Sequence, residues 1–263
     1  MNTIKVRLLS SSLLVLSLVL SACGVMATDV PATSTLRPSA TITHTPTNTP
    51  FPTNTPRPTR TPDLAATQHA EELNAEIRKY FELGYLSSDQ GGVEEYRDFG
   101  MEWAQLNWYD FQLLDLNVHD FLISAHFKWS SAYRNANIAG CGIAFAIQPN
   151  IDHYAVFLDR SQILFLNADY SVSNRSYAVG LTRGTGRVKF DNPADQPVEA
   201  DFTLIVKDEY AYVLVNGEVV GEYTLSKSKV LKGDIALSLL SGTNKDFGTR
   251  CEMTNIHVFI PNE

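Results

Sequence analysis

Glu199 and Asp201, in the run Glu199-Ala200-Asp201-Phe202-Thr203-Leu204, come closest in this chain to the paired carboxylates that cleave glycosidic bonds. Two residues apart on an extended strand, they project from one face. Retaining cleavage asks for a nucleophile and a general acid about 5 to 5.5 Å apart. Leu204 stands where the further acid is needed, so the pair reads as solvated acids at a strand start and no catalytic residue is assigned. No Gly-x-Ser-x-Gly elbow occurs, and Gly140-Cys141-Gly142 and Gly184-Thr185-Gly186 lack the third glycine of a dinucleotide loop. Nucleophilic and nucleotide chemistry are unsupported.

The six histidines show no i,i+4 pair and no zinc spacing. Asp152 with His153 is a candidate cation or sugar site near a loop, set against an ordinary solvated turn. Asn244 and Asp246, in the run Thr243 to Gly248, offer oxygens to a metal but fall short of an EF-hand pattern. Sugar rings present apolar faces edged by hydroxyls, so glycan sites pair an exposed aromatic with polar rim residues. Such candidates are Trp108 and Tyr109 in an expected loop, and Tyr133, Arg134, Asn135 and Asn137 in the polar connection after Trp129. His126 and Lys128, opposite Phe127 on a strand, join them. Trp103 and Trp129 are assigned to the core.

These residues need a scaffold, and the chain begins with a segment that decides where the scaffold goes. Lys5 and Arg7 precede an apolar run, Leu8 to Leu20, too short to span a bilayer on about 20 apolar residues, and the run ends in Leu20-Ser21-Ala22-Cys23. This box resembles the lipobox of bacterial lipoproteins. The resemblance implies a signal peptide over 1–22, acylation of Cys23, and a protein exported and anchored in a lipid bilayer. The anchor would sit on the outer face of the cytoplasmic membrane or on the outer membrane and cell surface. Lipidation would leave Cys141 and Cys251 in an oxidising compartment, where they are expected to pair; two separate buried thiols are the alternative.

Residues 1–62 carry five basic groups against Asp29, whereas 63–263 carry 16 basic and 28 acidic groups, a net of −12. An acidic body argues against nucleic acid and against docking on anionic lipid. From 23 to 62 the chain is an anchor and a Thr/Pro-rich linker, with the repeat Thr45-Pro46-Thr47-Asn48-Thr49-Pro50. Proline fixes φ and removes donors, and little apolar surface is available to bury, so this segment is expected to be disordered and extended.

An amphipathic lead-in helix is expected over 63–84, opened by Thr61 and Pro62 and closed by Gly84, with Leu73, Ile77, Tyr80 and Phe81 as its apolar stripe. From 88 to 263 the period is two. Phe121, Ile123, Ala125, Phe127 and Trp129 share one face of a half-buried strand, and eight more short runs follow. Asn216-Gly217 is the residue pair of a tight type I′ hairpin. Nine or ten strands without an interior helix predict an all-β antiparallel sandwich, with a barrel as alternative.

Several motifs occur in order: Glu102-Trp103-Ala104-Gln105, Asn107-Trp108-Tyr109, Asp120-Phe121-Leu122-Ile123, Gly140-Cys141-Gly142-Ile143-Ala144-Phe145, Asp152-His153-Tyr154, Val215-Asn216-Gly217 and Ser241 through Cys251. Together they resemble the concanavalin A-like lectin/glucanase superfamily, closest to its laminin-G-like and 3-keto-disaccharide-hydrolase-like branch. The resemblance implies a jelly roll of two antiparallel sheets with Cys141 and Cys251 on neighbouring strands. It also implies ligands on the concave face or rim loops, and calcium as a cofactor of some members. Three functions follow as expectations: a non-catalytic glycan-binding or adhesive module, a glycoside-processing hydrolase with converging acids or an acid and His153, or a structural envelope protein without a cleft.

Overall fold

Alternating apolar residues dominate the chain after residue 88, and they close two sheets on each other. The computed structural model describes residues 64–133, 136, 138–191 and 196–262. The signal segment, Cys23, the linker and Thr61-Pro62 lie outside the described residues, as do Arg134, Asn135 and Asn137. In chain order the elements are α1 (Leu64–Glu82), β1 (Gly91–Tyr96), β2 (Phe99–Trp103), β3 (Trp108–Val118), β4 (Phe121–Ser131), β5 (Gly140–Ile147) and β6 (His153–Leu158). There follow β7 (Ile163–Asp169), β8 (Arg175–Ala178), β9 (Leu181–Gly184), β10 (Val198–Lys207), β11 (Tyr210–Val215), β12 (Glu218–Thr224), β13 (Gly233–Ser241) and β14 (Thr249–Pro261).

The strands form an eight-stranded antiparallel sheet, β1-β14-β4-β10-β11-β12-β9 with β2 also on β14, and a six-stranded one, β3-β13-β5-β6-β7-β8. This is the expected jelly-roll sandwich, not a barrel. Between the sheets lie Ile123, Phe127 and Trp129 of β4, Phe145 of β5, Val156 of β6 and Phe202 of β10, all buried. Phe127 and Phe202 stack with centroids 4.6 Å apart. Each such ring contributes roughly 1.5 to 3 kcal/mol by leaving water. Cys141 of β5 and Cys251 of β14 form a disulfide, Cα atoms 5.4 Å apart, that joins the two sheets across 110 residues of chain. Asn216 and Gly217 take φ of 52° and 78° in the β11–β12 hairpin, as their pairing predicts.

Three expectations are corrected. Fourteen strands are present among the described residues where nine or ten were expected, because β1, β8 and β9 are almost wholly exposed with no burial alternation to announce them, while β2 and β3 are edge strands that alternate mostly between exposed and half-buried positions. The helix buries Ile77 and Tyr80, while Phe81 is 40% exposed; the contact follows a spacing of three and is completed by Leu86, not by a line of residues four apart. Strand β4 is more than half-buried at its start, since α1 covers its outer face at Leu122 together with Ile205, Leu214 and Phe259. Gly84 ends α1 at φ 81°, with Gly84 N–H on Phe81 O and Tyr85 N–H on Tyr80 O, a Schellman closure.

Candidate functional site

The face of the six-stranded sheet turned away from the core is apolar as well. Along its centre the side chains are small: Gly142 and Ala144 on β5, Ala155 on β6, Ala236 and Ser238 on β13. That leaves room for long side chains on β3 to lie across the sheet. Tyr109 reaches over β13 and β5, packs its ring 5.2 Å from Phe157, and places Oη 2.8 Å from His153 Nε2. Phe111 follows it, 5.5 Å from the His153 ring.

His153 is 1% exposed, and its Nδ1 lies 2.6 Å from Ile151 O. A carbonyl only accepts, so Nδ1 carries the proton and Nε2 accepts the Tyr109 hydroxyl. Burial pushes the imidazole below its ordinary value; the Ile151 carbonyl and Asp152 oppose that and Lys229 adds to it. The same burial pushes the Tyr109 hydroxyl up. Ile151 sits at φ 62°, a costly conformation for a β-branched residue, and it turns its carbonyl onto the imidazole.

Beside this bridge a groove of about 660 Å³ runs from β7 over the start of β5 to the end of β4, within the roughly 300 to 1,000 Å³ of small-ligand sites. Its floor is Leu164, Leu166, Leu240 and Ile138; its aromatic walls are Tyr109, Tyr133 and Trp129. The polar rim comprises Asn107, Ser131, Ser176, Asp159 and Arg160. Asp159 is the single carboxylate among the described lining residues, and it accepts from Ala139 N–H and from the N–H and hydroxyl of Ser161. Arg160 donates to Gln196 O and lies over the Trp129 ring. Lys245 lies over Tyr133, Nζ 3.9 Å from the ring centre.

No protein-family model and no curated protein matches this chain. Solved structures do. A fructosyltransferase from A. japonicus is 14% identical over 66% of this chain and 27% of its own, at a TM-score of 0.45. The carbohydrate-binding module CBM66 from Bacillus subtilis is 10% identical over 65% and 97%, at 0.43. The alginate lyase A1-II′, of polysaccharide lyase family 7, is 14% identical over 63% and 80%, at 0.41. The chain thus spans about a quarter of the fructosyltransferase it matches. Likenesses at this level assign neither an activity nor a ligand.

The groove gathers some of the residues expected from sequence and leaves others elsewhere. Tyr109 and Tyr133 line it, and His153 is not in a solvated turn but sealed behind Tyr109, because the aromatic layer closes over it. Trp108 and Tyr109 open strand β3 instead of occupying a loop, so they face opposite ways; Trp108 is 57% exposed and outside the groove lining. His126 belongs to the other sheet, where its Nδ1 lies 2.8 Å from Asp201 Oδ1 beside a Lys128–Glu199 contact of 3.3 Å. Glu199 and Asp201 therefore serve cross-strand pairs away from the groove.

Asp152 accepts from the backbone N–H groups of Tyr170 and Ser171 at 2.7 and 3.1 Å and from Asn150 Nδ2 at 2.9 Å. Against partial desolvation, which raises it, the hydrogen bonds from Ser171, Tyr170 and Asn150 hold its carboxyl below the usual range. It stitches two loops together. Asn244 Oδ1 accepts the Leu106 N–H, and among the described residues no three His, Cys, Asp or Glu side chains cluster as metal ligands would. Sequence reasoning missed the leucine floor. Its signal was the unbroken apolar run Ile163-Leu164-Phe165-Leu166, which marks a strand apolar on both faces.

Proposed function

We propose that this chain is a non-catalytic glycan-binding module, exported and held at a membrane surface by acylated Cys23, with the Thr/Pro-rich segment as its spacer. One observation carries the binding reading: two tyrosines stand over a leucine floor inside a polar rim. Apolar sugar faces pack on the rings and leucines, and sugar hydroxyls meet Asn107, Ser131, Ser176 and Arg160. A hydrolase would require two acids, or an acid and His153, to converge on the ligand. Asp159 instead holds the turn it sits in, and Tyr109 stands between His153 and the ligand. A structural envelope protein would have no use for the groove.

The test is a titration of the chain without its signal and lipid, residues 24–263, with cellotetraose, laminaritetraose, nystose and tetramannuronate, with product analysis of each mixture. Saturable binding that Tyr133→Ala and Leu166→Glu weaken at least tenfold is the expected result. Release of shorter sugars would overturn the non-catalytic reading, and no binding to any of the four would overturn the glycan reading. Membrane attachment is tested separately by a clickable fatty-acid label, which Cys23→Ser should abolish along with sedimentation in the membrane fraction.

A further inference from the structure

Trp129 is 3% exposed at the end of β4, and its indole Nε1, closed to solvent, has no hydrogen-bond partner among the described residues. A buried N–H without an acceptor is costly, and each such group in a folded protein calls for an explanation. Two other buried polar atoms share this condition, Trp103 Nε1 and Thr249 Oγ1, but only Trp129 belongs to the groove wall. Backbone closes on the same edge of the ring: a Cβ on Gly140 would lie 1.9 Å from Leu158 O and 3.2 Å from Cε2, the ring carbon bonded to Nε1. Over the face of the ring lies the Arg160 guanidinium, 5.6 Å from the ring centre, carried on the short β6–β7 turn and donating to Gln196 O, a contact it must break to leave the indole.

We infer that the Trp129 N–H is the groove's ligand-reading donor, taking a hydroxyl or ring oxygen of the bound sugar once Arg160 swings off the indole. This rests on the glycan-binding reading and adds to it a particular atom. The donor is unpaired only while the groove is empty, so an oligosaccharide that supplies an acceptor there is favoured over one that presents a C–H, which leaves the N–H stranded.

The experiment uses residues 24–263 and the same four tetrasaccharides. Trp129→Phe removes the N–H together with the pyrrole ring, so its Tm should fall through lost packing; 3-benzothienylalanine at position 129, which keeps the bicycle and puts sulfur in place of the N–H, tests the donor apart from the packing. Expected are affinity about tenfold weaker in both for the best of the four, and a downfield shift of the Trp129 indole N–H resonance on binding. That resonance is one of three indole signals, assigned by its loss in Trp129→Phe. Leu166→Glu, which blocks the floor, serves as the control for binding in this groove. If wild type binds and Leu166→Glu does not, yet either replacement of Trp129 binds equally well or the resonance stays still, the inference is overturned and the glycan reading stands. If wild type binds none of the four, both fall. Should Trp129→Phe fail to fold, the wild-type resonance, assigned instead by elimination through Trp103→Phe and Trp108→Phe, decides alone.

Discussion

Tyr109 and His153 sit on strands separated by two others, yet Tyr109 Oη lies 2.8 Å from His153 Nε2. Only a row of Gly, Ala and Ser between them permits this, and the hydroxyl donates to the ring only while the imidazole is neutral, since protonation turns Nε2 from acceptor into donor and reverses the bond. Burial lowers the His153 pKa below the 6.5 of a free histidine. The unfolded chain therefore takes up the proton first. The stability that His153 contributes is complete above about pH 6.5 and is lost progressively as pH falls toward the lower folded value. Thermal denaturation of wild type should show a drop in Tm between pH 7.5 and pH 5 that His153→Gln reduces. An identical drop in the variant would show that His153 is not the group responsible.

The inter-sheet disulfide closes 110 residues, and constraint of so long a loop in the unfolded chain stabilises the fold by about 2 to 5 kcal/mol. The double variant Cys141→Ala with Cys251→Ala should lose that amount in urea denaturation, and reductant should shift wild type to the same midpoint. A reductant-insensitive midpoint would contradict the clamp.

Two glycines in strands should respond unequally to the same change. A Cβ on Gly142 would lie 2.3 Å from Phe157 Cδ1 and 2.4 Å from Val156 O, whereas one on Gly92 would meet nothing within 4 Å. Gly142→Ala should therefore destabilise by about 1 to 3 kcal/mol or more, and Gly92→Ala should stay within about 0.5 kcal/mol of wild type. Equal effects in chemical denaturation would mean that β5 and β6 tolerate separation, and with it that the small-residue lane is not required.

What the sequence makes legible follows from how one-sided burial is. Phe121 to Trp129 alternates because one side chain in two meets the opposing sheet, and Asn216-Gly217 marks its hairpin through backbone conformation alone. Strands β8 and β9 are exposed at every position; their neighbours' hydrogen bonds hold them, which no local pattern records. The same limit separates the site from its residues. Alternation says that His126 faces away from Phe127, but not which sheet's outer surface that is, and two leucines among core residues look like more core. Tyr133 was legible because a large aromatic in a polar stretch has no packing reason to be there.

The helix gives the sharpest contrast between pattern and packing. Leu73, Ile77 and Phe81 form an equally spaced stripe in sequence, yet α1 touches the sheet through Ile77 and Tyr80 against Leu122, Ile205, Leu214 and Phe259. His257 Nε2, 3.1 Å from Glu76 Oε2, and His69 Nε2, 3.0 Å from Glu95 Oε1, add polar contacts between the helix and strands β14 and β1. Ile77 is 3% exposed, so Ile77→Ala leaves a cavity under the helix and should cost about 2 to 5 kcal/mol. Phe81 is 40% exposed, and Phe81→Ala should cost well under half as much. If α1 unfolds apart from the sandwich, the Ile77 variant will show early loss of helical circular dichroism and an unchanged main transition. Hydrogen exchange across residues 64–82 separates that outcome from one cooperative unit, in which helix and sheet lose protection together.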